Sequence, residues 1–208
     1  MSEEQAAPIE WSERRFERES FRDTDFTDAQ LDGCTFEECD FQGARLDDAV
    51  TRACWFISCT FTSARFISSS HETTAFTNCR FDFASLFGAT FVGCKLTGSG
   101  FHDADLSAMK IAGGDWSYTV LVAQDLRARD LRDIRFAEAN LEDCNLERSD
   151  LRNADLIHAN FRNAKLKGAD LRGANLDGID LKTLDLNRVR LDVGQAILLA
   201  RSHGAVIE

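Results

Sequence analysis

Large apolar residues recur along this chain at every fifth position. Stepping by five from Trp11 gives Phe16, Phe21, Phe26, Leu31, Phe36, Phe41 and Leu46, and the register runs without insertion or deletion to Leu186 and Leu191. Of these 37 positions, 14 are Phe, 18 Leu, two Trp and one Ile; only Thr51 and His71 break the type. Two residues before each lies a second class: from Arg14 to Val189, 27 of 36 positions are Ala, Cys, Ser, Thr or Gly. A period of five matches neither the 3.6 residues of an α-helix nor the two of a strand. It does match a chain that turns a corner every five residues, so that four sides close a square coil of about 20 residues with both classes pointing inward. Coils stacked at strand spacing, about 4.8 Å, satisfy their backbone groups against the coils above and below. The pattern therefore predicts an all-β, right-handed quadrilateral parallel β-helix over residues 11–191, with 1–10 as an N-terminal tail or cap. About nine coils would make a rod of about 43 Å.

Two stretches depart from the rule. Met109, Gln124, Arg129 and Ile134 all occupy the small inward phase, and an arginine there needs a partner, so a local bend or bulge is expected. Near the end Ile179, Leu184 and Val189 widen the plug, and Val193 to His203 reads as a short helix stopped at Gly204, within a capping and dimerisation segment 192–208. An open coil end is an unpaired strand edge that requires covering. The helix either caps its own coil or meets a twin across a two-fold axis. Val193, Ile197 and Ala200 share one side, and Leu198 and Leu199 add apolar area beyond what one cap needs.

Charge narrows the choice of partners. With 35 acidic and 24 basic residues the formal charge is −11, which repels bare nucleic acid and anionic membrane and suits a basic protein surface. Residues 1–50 carry net −10, 51–110 net +1 and 111–208 net −2. The near-neutral middle places Trp55, Ile57, Ile67, Phe83, Phe87 and Val92 at outward phases, either packed locally or forming a contact patch. No apolar run reaches the roughly 20 residues of a membrane span, and the acidic start, MSEEQAAPIE, does not read as a signal sequence. A cytoplasmic location is expected.

Acids sort by phase. Asp25, Asp40, Asp105, Asp125, Asp150, Asp155 and Asp170 immediately precede a large residue, where a carboxylate can bond backbone at the corner. Asp28, Asp32, Glu37, Glu38, Asp47, Asp48, Asp133, Glu138, Glu142, Asp143 and Glu147 follow it, point outward and form the candidate partner-binding surface. All seven cysteines share the small inward phase, which makes them buried core residues rather than metal ligands. The four histidines share no ligand or catalytic spacing, and His71 is expected to be a locally satisfied exception beside Thr51, one coil away. No phosphate loop, nucleophile elbow or His-Glu-x-x-His occurs. The chain is accordingly read as no enzyme, with no catalytic residues, metal or cofactor.

Runs such as ADLRGANLDGIDL (169–181) and NADLIHANFRNAKLKGADL (153–171) resemble the A(D/N)LXX signature of the pentapeptide-repeat family, over about residues 11–191. The ending RVRLDVGQAILLARSHGAVIE (188–208) is similar to the MfpA/Qnr group of that family, closer to its mycobacterial MfpA side, since no loop breaks the repeat. This resemblance implies a homodimer joined through Val193, Ile197, Leu198 and Ala200. It also implies a double-stranded DNA mimic that binds DNA gyrase and inhibits it as a topoisomerase, without binding nucleic acid itself. Protection from fluoroquinolones would follow. The MfpA likeness points to the transported (T-segment) DNA path at the ATPase gate of GyrB rather than to GyrA. The other reading is a non-enzymatic interaction scaffold whose partner is unrelated to DNA topology, contacting the neutral middle.

Overall fold

The computed structural model describes residues 7–207, so residues 1–6 of the expected tail lie outside the described residues. Ten short strands form: β1 (Glu10–Ser12), β2 (Arg15–Glu17), β3 (Gln30–Asp32), β4 (Thr35–Glu37), β5 (Val50–Arg52), β6 (Trp55–Ile57), β7 (Ser70–Glu72), β8 (Ala75–Thr77), β9 (Thr90–Val92) and β10 (Lys110–Ala112). They build two parallel sheets, β1-β3-β5-β7-β9-β10 on the first side of a coil and β2-β4-β6-β8 on the second. Every pairing is offset by 20 residues, as in Trp11↔Leu31 and Phe36↔Phe56. The third and fourth sides are held by single bridges such as Ser20↔Asp40 and Asp25↔Arg45, and beyond Ala112 all four sides are, up to Asp170↔Arg190. From Glu10 to Arg190 is 180 residues, or nine coils of 20.

The corner explains the period. From Glu13 to Gly178 the second residue after each large one sits in the left-handed region, at φ 58° for Asp28 and 56° for Asp48. Its N–H then reaches the next coil, Asp28 N–H donating to Asp47 O at 3.0 Å and Asp48 N–H to Ile67 O at 2.9 Å. A bond across coils at most corners offsets the cost of an unusual φ in a non-glycine residue.

Inside, the coil rise is also a comfortable ring-stacking distance. Phe16, Phe36, Phe56 and Phe76 stack in one column at 5.0, 4.7 and 4.8 Å between centroids. Phe21, Phe41, Phe61, Phe81 and Phe101 stack in the next at 4.9 to 5.0 Å. The small inward residues fill the corners, and polar ones donate either to a carbonyl three residues back in their own coil, as Ser69, Thr119 and Ser149 do, or to one 23 residues back in the preceding coil. Ser99 Oγ donates to Phe76 O at 2.7 Å, and the thiols of Cys54, Cys59, Cys79 and Cys94 donate to Leu31, Phe36, Phe56 and His71 carbonyls at 3.3–3.4 Å. All seven cysteines are free and buried.

His71 is fully buried, with Nδ1 2.8 Å from Thr51 Oγ1 and Nε2 2.9 Å from Ser69 Oγ. Ser69 already donates to Phe66 O at 2.8 Å, so it accepts from Nε2–H and Thr51 donates to the bare Nδ1. The expected irregularity near Arg129 is present as an opened ladder rather than an inserted residue. There Gln124 Nε2 donates to Phe101 O (2.9 Å), and Arg129 donates to Leu106 O (2.9 Å) and Met109 O (2.6 Å). Both long side chains thus take the carbonyl that a serine or cysteine would take elsewhere.

The ends are closed differently. At the first coil the Arg14 guanidinium lies 4.7 Å from the Trp11 ring centroid and 5.0 Å from that of Phe16. At the last, a 3-10 turn (Leu181–Thr183) precedes α1 (Val193–Ser202), and Gly204 follows at φ +89°. Ile179, Leu184, Val189 and Leu199 pack partly buried against the core there.

Candidate partner-binding surface

The turn carboxylates behave as their phase predicts. Asp25, Asp40, Asp105, Asp125, Asp150, Asp155 and Asp170 each accept the backbone N–H two residues on, at 2.9 to 3.4 Å. On the first side, three such turns also carry an arginine fork. Arg132, Arg152 and Arg172 reach Asp130, Asp150 and Asp170 through Nε at 2.8 Å and a terminal nitrogen at 2.6 Å. The hydrogen bond from Arg172 holds the Asp170 carboxyl down at about 2, against a smaller opposing effect of burial. The aspartates stack in one column and the arginines in the column beside it, so each turn of this stretch cancels its own charge and the acidic surface is not continuous around the rod.

The outward candidates divide by what stands one coil away. Glu37 pairs with Arg15 at 3.0 Å, Glu38 with Arg18 at 2.8 Å and Glu142 with Arg162 at 3.5 Å. Asp133 accepts from Asn153 Nδ2 at 3.1 Å, and Glu138 from Tyr118 OH at 2.9 Å, which raises the Tyr118 phenol. Asp28, Asp32, Asp48 and Asp143 are exposed and Glu147 half-buried. None of these five is among the paired carboxylates of the described residues. Asp28 and Asp48 fall one coil apart on the same corner, while the whole set is spread over all four sides.

Asp47 is a correction. It is only 7% exposed, its Oδ1 accepts Ile67 N–H at 3.1 Å, and its Oδ2 lies 2.8 Å from Arg65. A neighbouring coil covers it because a short acid beside a free cross-coil N–H gains more from that bond than from water. It belongs to the wall, not to the contact surface.

Of the apolar middle, Trp55, Phe83, Phe87 and Val92 are exposed, whereas Ile57 and Ile67 are half-buried against their own corners. Tyr118, Val120 and Val122 are exposed as well and were not singled out by phase.

At the C-terminus, capping rests on residues that hydrophobic pattern did not single out. Asp192 accepts Gln195 N–H at 2.9 Å and Gly173 N–H at 2.8 Å. Gln195, 4% exposed, accepts Asp192 N–H through Oε1 at 3.0 Å, and its Nε2 donates to Leu171 O (2.6 Å) and Ala174 O (2.8 Å). A capping box is thereby fused to the last coil, and the signal for it, Asp-x-x-Gln, is written at 192–195. Among the proposed dimerisation residues, Val193 is 77% and Leu198 40% exposed, while Ile197 and Ala200 are half-buried; Val206 and Ile207, after the helix, are exposed too.

No helix of the described residues is long and apolar enough to cross a membrane. No curated protein matches the chain. Among solved structures, a trypsin-treated form of QnrB1, a plasmid-mediated fluoroquinolone resistance protein, superposes with a TM-score of 0.85 at 24% identity, covering 95% of this chain and 99% of the other. Full-length QnrB1 gives 0.81 at 23% identity, covering 95% and 98%. The family model "Pentapeptide repeats" matches in eight copies over residues 20–50, 74–108, 130–168 and 164–192. With more than half the chain matched and four five-residue sides to each coil of the structure, the chain belongs to the pentapeptide-repeat family.

Proposed function

We propose that this protein is a double-stranded DNA mimic that binds and inhibits DNA gyrase and thereby protects it from fluoroquinolones. The observation that carries the reading is a nine-coil rod with net charge −11 that leaves Asp28 and Asp48 unpaired one coil apart on the same corner. The likeness to QnrB1, a fluoroquinolone resistance protein, supports the same direction. Two rods joined through the exposed Val193 and Leu198, with Ile197 and Ala200, would span about 90 Å, or roughly 25 base pairs. Surface carboxylates would then meet the Lys and Arg side chains that line a DNA path. We favour the T-segment path at the GyrB ATPase gate, in the cytoplasm.

The exposed Trp55, Phe83 and Phe87 favour a second reading, an interaction scaffold that grips a partner unrelated to DNA. The two separate in a cleavage assay with gyrase, plasmid and a fluoroquinolone. Fewer drug-stabilised breaks as the protein is added, with the effect lost at high salt, supports the mimic. Unchanged breakage at every concentration removes the gyrase reading.

A further inference from the structure

Between residues 95–114 and the turn that follows them, 115–134, the backbone ladder is made on only two of the four sides. On the second and third sides it continues through Lys95↔Asp115 and Gly100↔Val120. On the fourth side Ser85↔Asp105 is followed by no bridge to the next coil, and on the first side the pairing of β9 with β10 is likewise the last before the gap. Among the described residues, pairing on these sides resumes only at Asp125↔Asn145 and Asp130↔Asp150. The regular bonds Leu86 N–H to Asp105 O (2.8 Å) and Gly88 N–H to Ser107 O (3.0 Å) have no counterpart from Leu106 or Ala108.

In their place one side chain spans the opening. Arg129 donates to Leu106 O at 2.9 Å and to Met109 O at 2.6 Å, taking the carbonyl that Asp130 N–H would otherwise meet. Beside it lies a slot of about 200 Å³ whose apolar lining includes Met109, Ile111, Leu126 and Leu131. On the closed side, Gly114 sits at φ +97° so close to the Cys94 carbonyl that any Cβ would collide with it, which pins the two stacks together there. A looser ladder also occurs under the 3-10 turn at the last coil, but that is the rod's end and α1 covers it.

We propose that this gap is a built-in joint: the rod is two coil stacks, hinged along the second and third sides, with Arg129 as the latch across the opening sides. A solenoid is stiff because each coil is bonded to its neighbours around its whole perimeter. Where two adjacent sides lack those bonds, bending concentrates there and its direction is set by the sides that remain. Opening wets the slot lining and breaks both Arg129 bonds, so the closed form dominates in the free protein and a curved partner surface draws out the bent one. The joint does not depend on the gyrase reading, and neither does its test.

Residue-resolved hydrogen exchange on the full chain reads it. Amides of Leu106, Ala108, Ile111, Asp125 and Asp130 are expected to exchange on the order of a hundredfold faster than those at matching phases, such as Phe66, Ser68, Leu146 and Arg148. Arg129→Met, which keeps length and loses both donors, should speed exchange around the slot by about tenfold more and split urea unfolding into two transitions. Protection at the slot equal to that of its neighbours overturns the joint, as does a variant in which every amide shifts alike. If the variant does not fold, the wild-type exchange pattern alone decides.

Discussion

His71 gives the sharpest test of how this core is built. Burial alone pushes its imidazole from the ordinary 6.5 down to about 3, and no carboxylate is among its hydrogen-bonding partners. Between those values the unfolded chain binds a proton that the folded chain refuses, so stability is complete above about pH 6.5 and declines as pH falls. The slope is about 1.4 kcal/mol per pH unit, or about 2 kcal/mol between pH 7.5 and 5.0, a window in which most carboxylates still carry their charge. His71→Phe removes the titration and continues the ring column onto Phe91, whose centroid lies 4.7 Å from that of His71. The partners survive the change, because Ser69 keeps Phe66 O and Thr51 keeps Thr74 at 3.0 Å. Urea midpoints of wild type and variant at both pH values give the double difference, and the His71 Cε1–H resonance reports its charge directly. Equal pH dependence in the two proteins, or a His71 resonance that titrates near 6.5, would refute the sealed-core argument.

Other consequences are smaller or more local. Gln195→Leu strands the Leu171 and Ala174 carbonyls and should cost about 2–3 kcal/mol, visible as a lower melting temperature and early exchange in the last coil. Trp116 buries an Nε1–H without a partner, so Trp116→Phe should stay within about 1 kcal/mol of wild type by unfolding, and a loss of 3 kcal/mol or more would contradict this. Burial pushes the thiols of Cys39, Cys54 and Cys94 up to about 11 and that of Cys144 up to about 12, so at pH 8 a disulfide reagent should label the folded protein far more slowly than the unfolded chain. Asp28→Asn with Asp48→Asn should weaken gyrase binding and flatten its salt dependence with stability changed by less than about 0.5 kcal/mol. Asp47→Asn should instead cost about 1 kcal/mol of stability.

The period of five was enough to read the coil, the inward phases and the turn carboxylates, because each rests on a contact the repeat itself enforces. What it left open depends on the neighbour one coil away. Glu38 is paired because Arg18 stands 20 residues before it, and Asp28 is free because neither Pro8 nor Asp48, its neighbours one coil away, is a cation. The ion pairs of Glu37 and Asp47 run diagonally between coils, Arg15 standing 22 residues before Glu37 and Arg65 18 after Asp47. Arg129 and Gln124 follow a different offset: like Ser99 and the inward cysteines, each serves the carbonyl 23 residues back, Leu106 for Arg129 and Phe101 for Gln124. Gln195 escaped that rule because it lies on α1, where the coil has ended and its carbonyls no longer have a next coil to meet.

The central claim is that an acidic rod occupies a DNA path, and direct binding to gyrase tests it most closely. Affinity for the holoenzyme and for each subunit would be measured at low and high salt, with duplex DNA as competitor. The account predicts tight binding that falls steeply with salt and is displaced by duplex, located on the subunit that carries the ATPase gate. Binding that ignores both salt and DNA, or no binding at all, would contradict it.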